Sequence, residues 1–590
     1  MHTVVHGTHE AIQKIGGIGA VLQGLLTSRV YLEQARRNIL VGPFWPTDCY
    51  GEQRLGPSGE VLYSSLDSLY RSPLAERFRE IEQQYGVGIV YGRRKFHEKA
   101  TGVMSSPEVL LIDCSRFDER KLGEFKYLLW KNFGIDSARY DNIWDYEQYV
   151  RLATPAIAAL HALGVSTTSQ PCVILSHEYM GVPTALAAIM EGDRANFRTI
   201  FYAHEVATMR RIVEGHPGHD TMFYNVMRAA LAQGHFVEEV FGDQGGFYRH
   251  ALVKATRFMD EVFAVGDWVQ KEMRFLGGEF VHVDSQLAYN GVPCWPISVQ
   301  EKMASRQKLR KYCENLLGYQ PDYVLTHVTR LVPSKGLWRD LRVLEHMERM
   351  LRDRNETAVL FTLSTEVPGR RGEDIRKMEA TYRWPVVHRE GLPDLSHGEA
   401  AYYEGVQEFN ARSRNIKVVF INQFGFEQKL CGLRMPADME FMDIRKGSDV
   451  EFGQSIYEPF GIAQVEPISF GGICVFSNVC GCAGFVEKAA GGSTPNVIVA
   501  DYTQVAHKGL REEQFLSIGL AERNELEHAV AEKVAAELIQ RLPRTPQEFE
   551  QFIQRGYALA QKMSWDAVAR DYVLPGMDRA CKAQRLRQIA

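Results

Sequence analysis

"YVLTHVTRLVPSKGL", residues 323–337, is an apolar run followed at once by a loop carrying two cations, Arg330 and Lys335. An apolar run without polar alternation predicts a strand buried on both faces. Runs of the same kind precede it: "NILVG" (38–42), "GIVYG" (88–92), "VLLID" (109–113), "CVILSH" (172–177), "TIFYAH" (199–204) and "EVFAVG" (261–266). Others follow it: "AVLFTLS" (358–364), "KVVFIN" (417–422), "ICVFSN" (473–478) and "NVIVAD" (496–501). Longer helical patterns separate them, so the chain reads as β-α-β units, an α/β protein with parallel sheets. Two such series predict two doubly wound, Rossmann-like domains, 1–295 and 296–565, parted at the turn-rich "YNGVPCWP" (289–296) and followed by a last segment, 566–590. The charged segment 364–415, with "GRRGEDIRKMEATYR" and "GEAAYYEGVQEFNARSR", reads as exposed helices inserted in the second domain. It leaves a homo-oligomer contact and a free solvated arm equally open. Open α/β sheets bind ligands outside the carboxyl ends of their strands. Two such domains facing one another are expected to enclose a cleft there.

The bulk numbers bound the function. A length of 590 residues fits two or more domains. Apolar residues at 45% and charged residues at 24% are ordinary for a soluble globular protein. A net charge of −5 argues against a nucleic-acid partner, so any anion site must be local. Apolar runs such as "PTALAAIM" (183–190) fall far below the ~18 residues that span a bilayer, and no membrane partner is expected. The start, "MHTVVHGTHE", lacks the basic region and apolar core of a signal peptide. Ten cysteines without a C-x-x-C pair read as free thiols in a reducing cytoplasm. Metal readings are weak. His2, His6 and His9 lie at what reads as an untethered terminus, His216 and His219 lack accompanying acids, and Cys474, Cys480 and Cys482 lack zinc-knuckle spacing. No metal or other cofactor is expected.

The residues that carry chemistry cluster after strands. In "IYEPFGIAQVEPISFGG" (456–472), Pro459 suits the first position of a helix, predicted over 459–470 and stopped by Gly471-Gly472. Glu458 would sit at its mouth and Glu466 roughly 12 Å along the axis on about the same side. Between them the N–H groups of Phe460, Gly461 and Ile462 would hold an anion. Sugar, diphosphate and ribose in a nucleotide sugar have this layout; a surface helix with a Glu cap is the plainer reading of the same spacing. Arg330 and Lys335 can neutralise a diphosphate leaving group without a metal. In "QKIGGIGAVLQGL" (13–25), Gly16, Gly17 and Gly19 allow close approach to a phosphate and Lys14 adds charge. No glycine stands at 22, so the dinucleotide pattern is not met, and a plain glycine turn capping a helix remains open. "SHEYMG" (176–181), "YAHEVA" (202–207) and "YNGVP" (289–293) place His177, Glu178, His204 and Asn290 at strand ends.

Taken in order, these pieces resemble the glycogen synthases, retaining glycosyltransferases of the two-domain GT-B fold, and most of all the animal and fungal type. "KIGGIGAVL" followed by "ILVGPF" looks like the start of that type, and "SHEYMG" like its His-Glu-Trp-Met segment. "YAHE" is similar to Thr-His-Ala, "RLVPSKG" to the loop in which Arg is followed five positions on by Lys-Gly, and "YEPFGIAQVEPISFGG" to the Tyr-Glu-Pro-Trp-Gly run with its two glutamates. "MSWDAVARDYV" (563–573) is similar to the segment that begins a final helix crossing back to the first domain. The resemblance implies that Lys14 and the Gly16–Gly17 turn face the diphosphate and that Arg330 and Lys335 hold it. It implies that Glu458 lies near the transferred sugar and Glu466 at the ribose. His204 would sit under the sugar, Asn290 near it, and His177 and Glu178 on the acceptor side. Phe460 stands where the animal type has Trp, and the thin basic tail of Arg579, Lys582, Arg585 and Arg587 offers no clear counterpart to its regulatory cluster. The implied activity is retaining transfer of glucose from ADP- or UDP-glucose to the non-reducing end of an α-1,4-glucan. A small acceptor, as in trehalose- or sucrose-forming relatives, is the alternative. A sugar-nucleotide epimerase needs no acceptor site and a non-catalytic binder no complete set of Lys14, Arg330, Lys335 and Glu458.

Overall fold

The computed structural model describes residues 2–582 except 13–15, 45–49, 57, 166–170, 193–195, 284 and 506–510. Lys14 lies outside the described residues. The chain divides into two compact units, Met1–Met209 with Ala230–Gly291 and Trp565–Ala590, and Arg210–Ala229 with Val292–Ser564.

The first unit is built on strands β1 (Thr3–Gly7), β2 (Arg37–Pro43), β3 (Gly59–Ser64), β4 (Leu69–Tyr70), β5 (Gly88–Arg94), β8 (Glu108–Asp113), β9 (Cys172–His177), β10 (Phe197–Ala203), β11 (Glu261–Ala264) and β12 (Ser285–Leu287), with a separate hairpin of β6 (Phe96–Glu98) and β7 (Val103–Ser105). The sheet order is β12-β11-β10-β9-β1-β2-β8-β5-β3-β4. It is parallel from β12 to β8 and antiparallel at the β5-β3-β4 edge. The stretch expected to be an untethered terminus is therefore the central strand. His6 lies opposite Leu40 on one side and Leu175 on the other and is fully buried. Five residues with a histidine among them are too short and too polar to register as an apolar run. The strand order reverses at β1 and β9, so ligands of this sheet are expected beyond Gly7 and His177.

The second unit holds β13 (Tyr323–Val328), β14 (Ala358–Leu363), β15 (Ile416–Ile421), β16 (Val450–Gly453), β17 (Ile473–Ser477) and β18 (Val497–Ala500), all parallel in the order β15-β14-β13-β16-β17-β18. Side chains alternate between two cores. Leu325, Leu360, Val418, Phe452 and Val475 pack with the helices Trp338–Arg354 and Leu520–Arg541, and Val324, Val359, Phe361 and Val419 with Val299–Leu317. The segment 364–415 is not a solvated arm. Helix His397–Arg412 delivers Tyr403, Val406 and Phe409 to the first core, and Gly372–Tyr382 delivers Ile375 and Met378 to the second. Together they form the crossover between β14 and β15; the charged faces that dominate the sequence are the outward ones.

Arg210–Ala229 belongs with this second unit although it precedes the expected boundary. The reason is a buried ion cluster. Arg339, with no exposed surface, forks onto Asp220 at 2.6 and 3.0 Å, reaches Glu527 at 2.9 Å and lies 3.7 Å over the Tyr502 ring. Thr221 and Asn225 donate to the carbonyls of Tyr502 and Thr503 at 2.9 and 3.0 Å. A guanidinium removed from water needs such partners on every side.

From Trp565 the chain returns to the first unit. Ser28 donates to Asp566 at 2.5 Å, and a β-carbon on Gly24 or Gly291 would fall 2.0 or 2.6 Å from the Trp565 ring. The indole thus fills a notch that only glycines leave open. Gly24→Ala should destabilise the protein by about 1–3 kcal/mol in denaturant unfolding, and adding Trp565→Phe should recover part of that loss in a double-mutant cycle.

Candidate functional site

In the second unit the strand order reverses between β13 and β16, and the loops leaving those two strands carry the expected cations and carboxylate. The loop after β13 is seated on the loop after β16 by backbone: Ile456 and Tyr457 N–H both donate to the Ser334 carbonyl, at 2.8 and 3.2 Å. Gly336 closes the loop with φ +60°, and a β-carbon there would lie 2.6 Å from the Gln454 carbonyl oxygen. This approach brings Lys335 Nζ within 2.5 Å of Glu458 Oε2, with both side chains mostly buried. Arg330, five residues earlier on the same loop, is exposed.

The helix expected over 459–470 is not formed. Gly461 adopts φ +91°, a single α-helical turn spans Ile462–Val465, and a 3-10 turn spans Glu466–Phe470. Pro467 is the cause. It has no N–H for the Ala463 carbonyl, and its ring excludes an α-helical continuation. Phe460, Gly461 and Ile462 therefore do not form the amide end of a long helix. The Phe460 ring is buried, 6.3 Å from Phe485, and its carbonyl accepts from Cys482 N–H. Glu466 is held at 2.9 Å by Arg445 Nε, and the same buried guanidinium lies 3.1 Å from Glu451. Glu451, on β16, also accepts from Thr326 at 2.5 Å and Val328 N–H at 2.9 Å. Neither Arg445 nor Glu451 was singled out in the sequence. A lone acid inside "VEFG" was the available signal, because a buried strand carboxylate requires a cation.

In the first unit, the helix Gly17–Leu25 follows the glycine turn as expected. The amides of Gly16 and Gly19 are occupied, however. Both donate to the buried Glu10 carboxylate, at 2.8 and 2.9 Å. Glu10 was not anticipated, although a carboxylate six residues before a glycine-opened helix is a natural partner for its free amides. His177 ends β9, and Glu178 follows with φ +62°, uncommon for a residue with a side chain. The Glu178 carboxyl accepts from the Glu205 N–H, and its Oε2 makes no hydrogen bond among the described residues. Burial, then the neighbouring Glu205, holds its pKa well above the ordinary carboxylate range. His177 Nδ1 meets His204 Nε2 at 2.8 Å, and His177 Nε2 meets His6 Nδ1 at 3.0 Å. Tyr202 stacks on His204 with centroids 4.4 Å apart. Asn290 is buried, and its Oδ1 makes no hydrogen bond among the described residues. No cluster of metal-ligating side chains occurs among the described residues, and no helix among them is long and apolar enough to cross a membrane.

No family model matches the sequence, and no curated protein matches it. Solved structures do. The catalytic domain of starch synthase IV from Arabidopsis thaliana, bound to ADP and acarbose, is 14% identical over 99% of this chain and 100% of that one, with a TM-score of 0.54. An α,α-trehalose-phosphate synthase (UDP-forming) from Burkholderia vietnamiensis is 13% identical over 100% of both chains, at 0.49. The N-terminal domain of trehalose-6-phosphate phosphatase from Candida albicans is 11% identical over 98% of this chain and 97% of that one, also at 0.49. Two Rossmann-like units with this likeness to the starch synthase domain define the GT-B fold.

The buried histidines tie stability to pH. Burial pushes His6 down to about 4 and His204 down to about 3, and lowers His177 well below its ordinary value, helped by the neighbouring His204 and His6. The unfolded chain binds these protons near pH 6.5, so stability is complete above that pH and falls as acid is added toward 4. For His6 alone the loss approaches about 3 kcal/mol. Thermal unfolding between pH 7.5 and 4.5 should show a falling midpoint, with a shallower slope in His6→Phe; equal slopes would contradict the burial argument.

Proposed function

We propose that this chain is a retaining glycosyltransferase that moves glucose from ADP- or UDP-glucose to the non-reducing end of an α-1,4-glucan. The observation that carries the reading is the Lys335–Glu458 pair beside the exposed Arg330, at the reversal of strand order in the second unit. A starch synthase domain of the same fold, bound to ADP and acarbose, supports it.

At rest Lys335 is engaged by Glu458. An incoming diphosphate offers the ammonium more negative charge than one carboxylate does, so Lys335 turns to it together with Arg330. Glu458 is thereby released to the hydroxyls of the transferred glucose. The bond from the sugar's anomeric carbon to the diphosphate oxygen breaks, and a bond to the acceptor oxygen forms on the same face. The acceptor proton passes to the departing diphosphate oxygen. Fixed cations stabilise the charge that develops on the leaving group, and no metal is required for that task. Glu466, oriented by Arg445, accepts from the ribose hydroxyls. His204 and Asn290 lie at the sugar, and His177 and Glu178 on the acceptor side. The Gly16–Gly17 turn adds little charge of its own, since Glu10 holds the Gly16 amide.

Incubation with ADP- or UDP-glucose should give nucleoside diphosphate release that depends on added glycogen or maltooligosaccharide, with an α-linked product by NMR. Release only with a small sugar or sugar phosphate would replace the glucan as acceptor. Release without any acceptor, or none at all, would overturn the reading. Glu458→Gln and Lys335→Met should each lower turnover roughly 10²–10³-fold with unchanged unfolding midpoints. Glu466→Gln should instead act mainly on the KM for donor.

A further inference from the structure

We infer that Asn38, Tyr31 and His6 fix the proton on three successive imidazoles, so that His204 presents an unprotonated Nδ1 that accepts a hydrogen bond from a ligand hydroxyl.

The chain begins at an amide whose orientation is settled. Asn38 Nδ2 donates to the Ala35 carbonyl at 2.7 Å, so the other atom of the amide, Oδ1, is the one that faces Tyr31 and His6. An amide oxygen only accepts. Tyr31 gives its single hydroxyl hydrogen to Asn38 Oδ1 at 3.0 Å. With a hydrogen on His6 Nε2, 3.3 Å from that oxygen and 3.1 Å from the Tyr31 oxygen, every acceptor is met; without it the one Tyr31 hydrogen cannot serve both Nε2 and Asn38 Oδ1, and one buried acceptor is left bare. A neutral imidazole with hydrogen on Nε2 has a bare Nδ1. His6 Nδ1 faces His177 Nε2 at 3.0 Å, so His177 Nε2 is the donor and its Nδ1 is bare. His177 Nδ1 faces His204 Nε2 at 2.8 Å, so the third ring also carries its hydrogen on Nε2. The ring planes, 19° and 8° apart, suit in-plane hydrogen bonds passed from edge to edge. His204 ends the relay with a bare Nδ1, at the end of β10 and partly exposed.

The alternative arrangement fails at its origin. Hydrogen on every Nδ1 would leave His6 Nε2 bare beside the Asn38 oxygen, at the cost of an unpaired buried acceptor. A second proton on any ring is opposed by burial, which depresses all three. The main chain is held as well. The Glu178 carboxyl takes the Glu205 N–H, so consecutive residues, His177 and Glu178, grip the ring and the backbone of the His204–Glu205 turn. A turn held on both sides with one tautomer is built to receive a hydrogen-bond donor. That the donor is a hydroxyl of a transferred glucose rests on the function proposed above; the order of protons does not.

Neutron diffraction from deuterium-exchanged crystals of the full chain near neutral pD shows these atoms directly. Deuterium on Nε2 of His6, His177 and His204, and none on His204 Nδ1, is expected. Deuterium on His204 Nδ1 would overturn the inference, whether or not the protein transfers sugar. His6→Phe removes the acceptor of the His177 hydrogen, so deuterium should appear on His204 Nδ1 at part occupancy; an unchanged pattern would show that His6 does not set the tautomer. Should that variant not fold, the wild-type map still decides. In the same variant, glycogen-dependent diphosphate release should fall about tenfold, the equivalent of one positioned hydrogen bond. A shifted tautomer with undiminished release would remove the ligand hydroxyl from the scheme while leaving the relay in place.

Discussion

Gly336 must sit with its α-carbon against the carbonyl of Gln454, and much of the second unit's chemistry depends on that approach. A side chain at this position would have to enter the carbonyl oxygen, and its backbone would be strained at φ +60°. Because the glycine permits the contact, the Ser334 carbonyl can take two amides from the neighbouring loop, and Lys335 is delivered to Glu458. Arg339, a turn further on, donates to the same Gln454 carbonyl at 3.2 Å while anchoring Asp220 and Glu527. One backbone oxygen thus meets both the glycine of a loop and a buried guanidinium. Parallel strands with reversed order create the place; this contact decides which side chains stand in it.

Buried charges in this unit come in sets held from several directions. Arg339 lies between Asp220 and Glu527, and Arg445 between Glu451 and Glu466. Removing ions from water is costly, and a well-packed apolar replacement is often no less stable. Their value here is positional. Glu466, at the start of a five-residue 3-10 turn, has little local structure to orient it, and Arg445 supplies that orientation from a position fixed by Glu451.

Apolar runs in the sequence located most of the parallel strands, such as 172–177 and 323–328, although each of these two also holds a buried histidine, His177 and His327. They missed β3, β4, β6, β7 and β12, and they missed β1 and β16, which are short and carry buried His6 and Glu451. The last two lie at the two reversals of strand order, where polar groups are needed inside a sheet. Placement was legible where residues share one loop after a strand, as with Arg330 and Lys335. Pairings were not legible where the partners come from distant segments, as with Glu10 and the glycine turn's amides, Arg445 and Glu466, or Arg339 and Asp220. The single helix expected across 459–470 failed on Pro467, which the motif's carboxylate spacing had overshadowed.

The two units divide the electrostatics between them. The loops of the second unit offer permanent cations, Arg330 and Lys335. The first unit offers, at its own reversal point, groups whose charge has been removed: three imidazoles kept neutral by burial and a carboxyl whose ionisation burial opposes. An imidazolium at any of these rings would have to give up its hydration, whereas the neutral ring does not. Burial in the centre of the sheet is a more robust way to exclude that charge than a neighbouring cation, because it needs no partner that a ligand could displace. The central strand accordingly places its histidine where solvent cannot reach it, and the polar chain from Asn38 to His204 makes that buried position tolerable by satisfying both nitrogens of His6 and of His177.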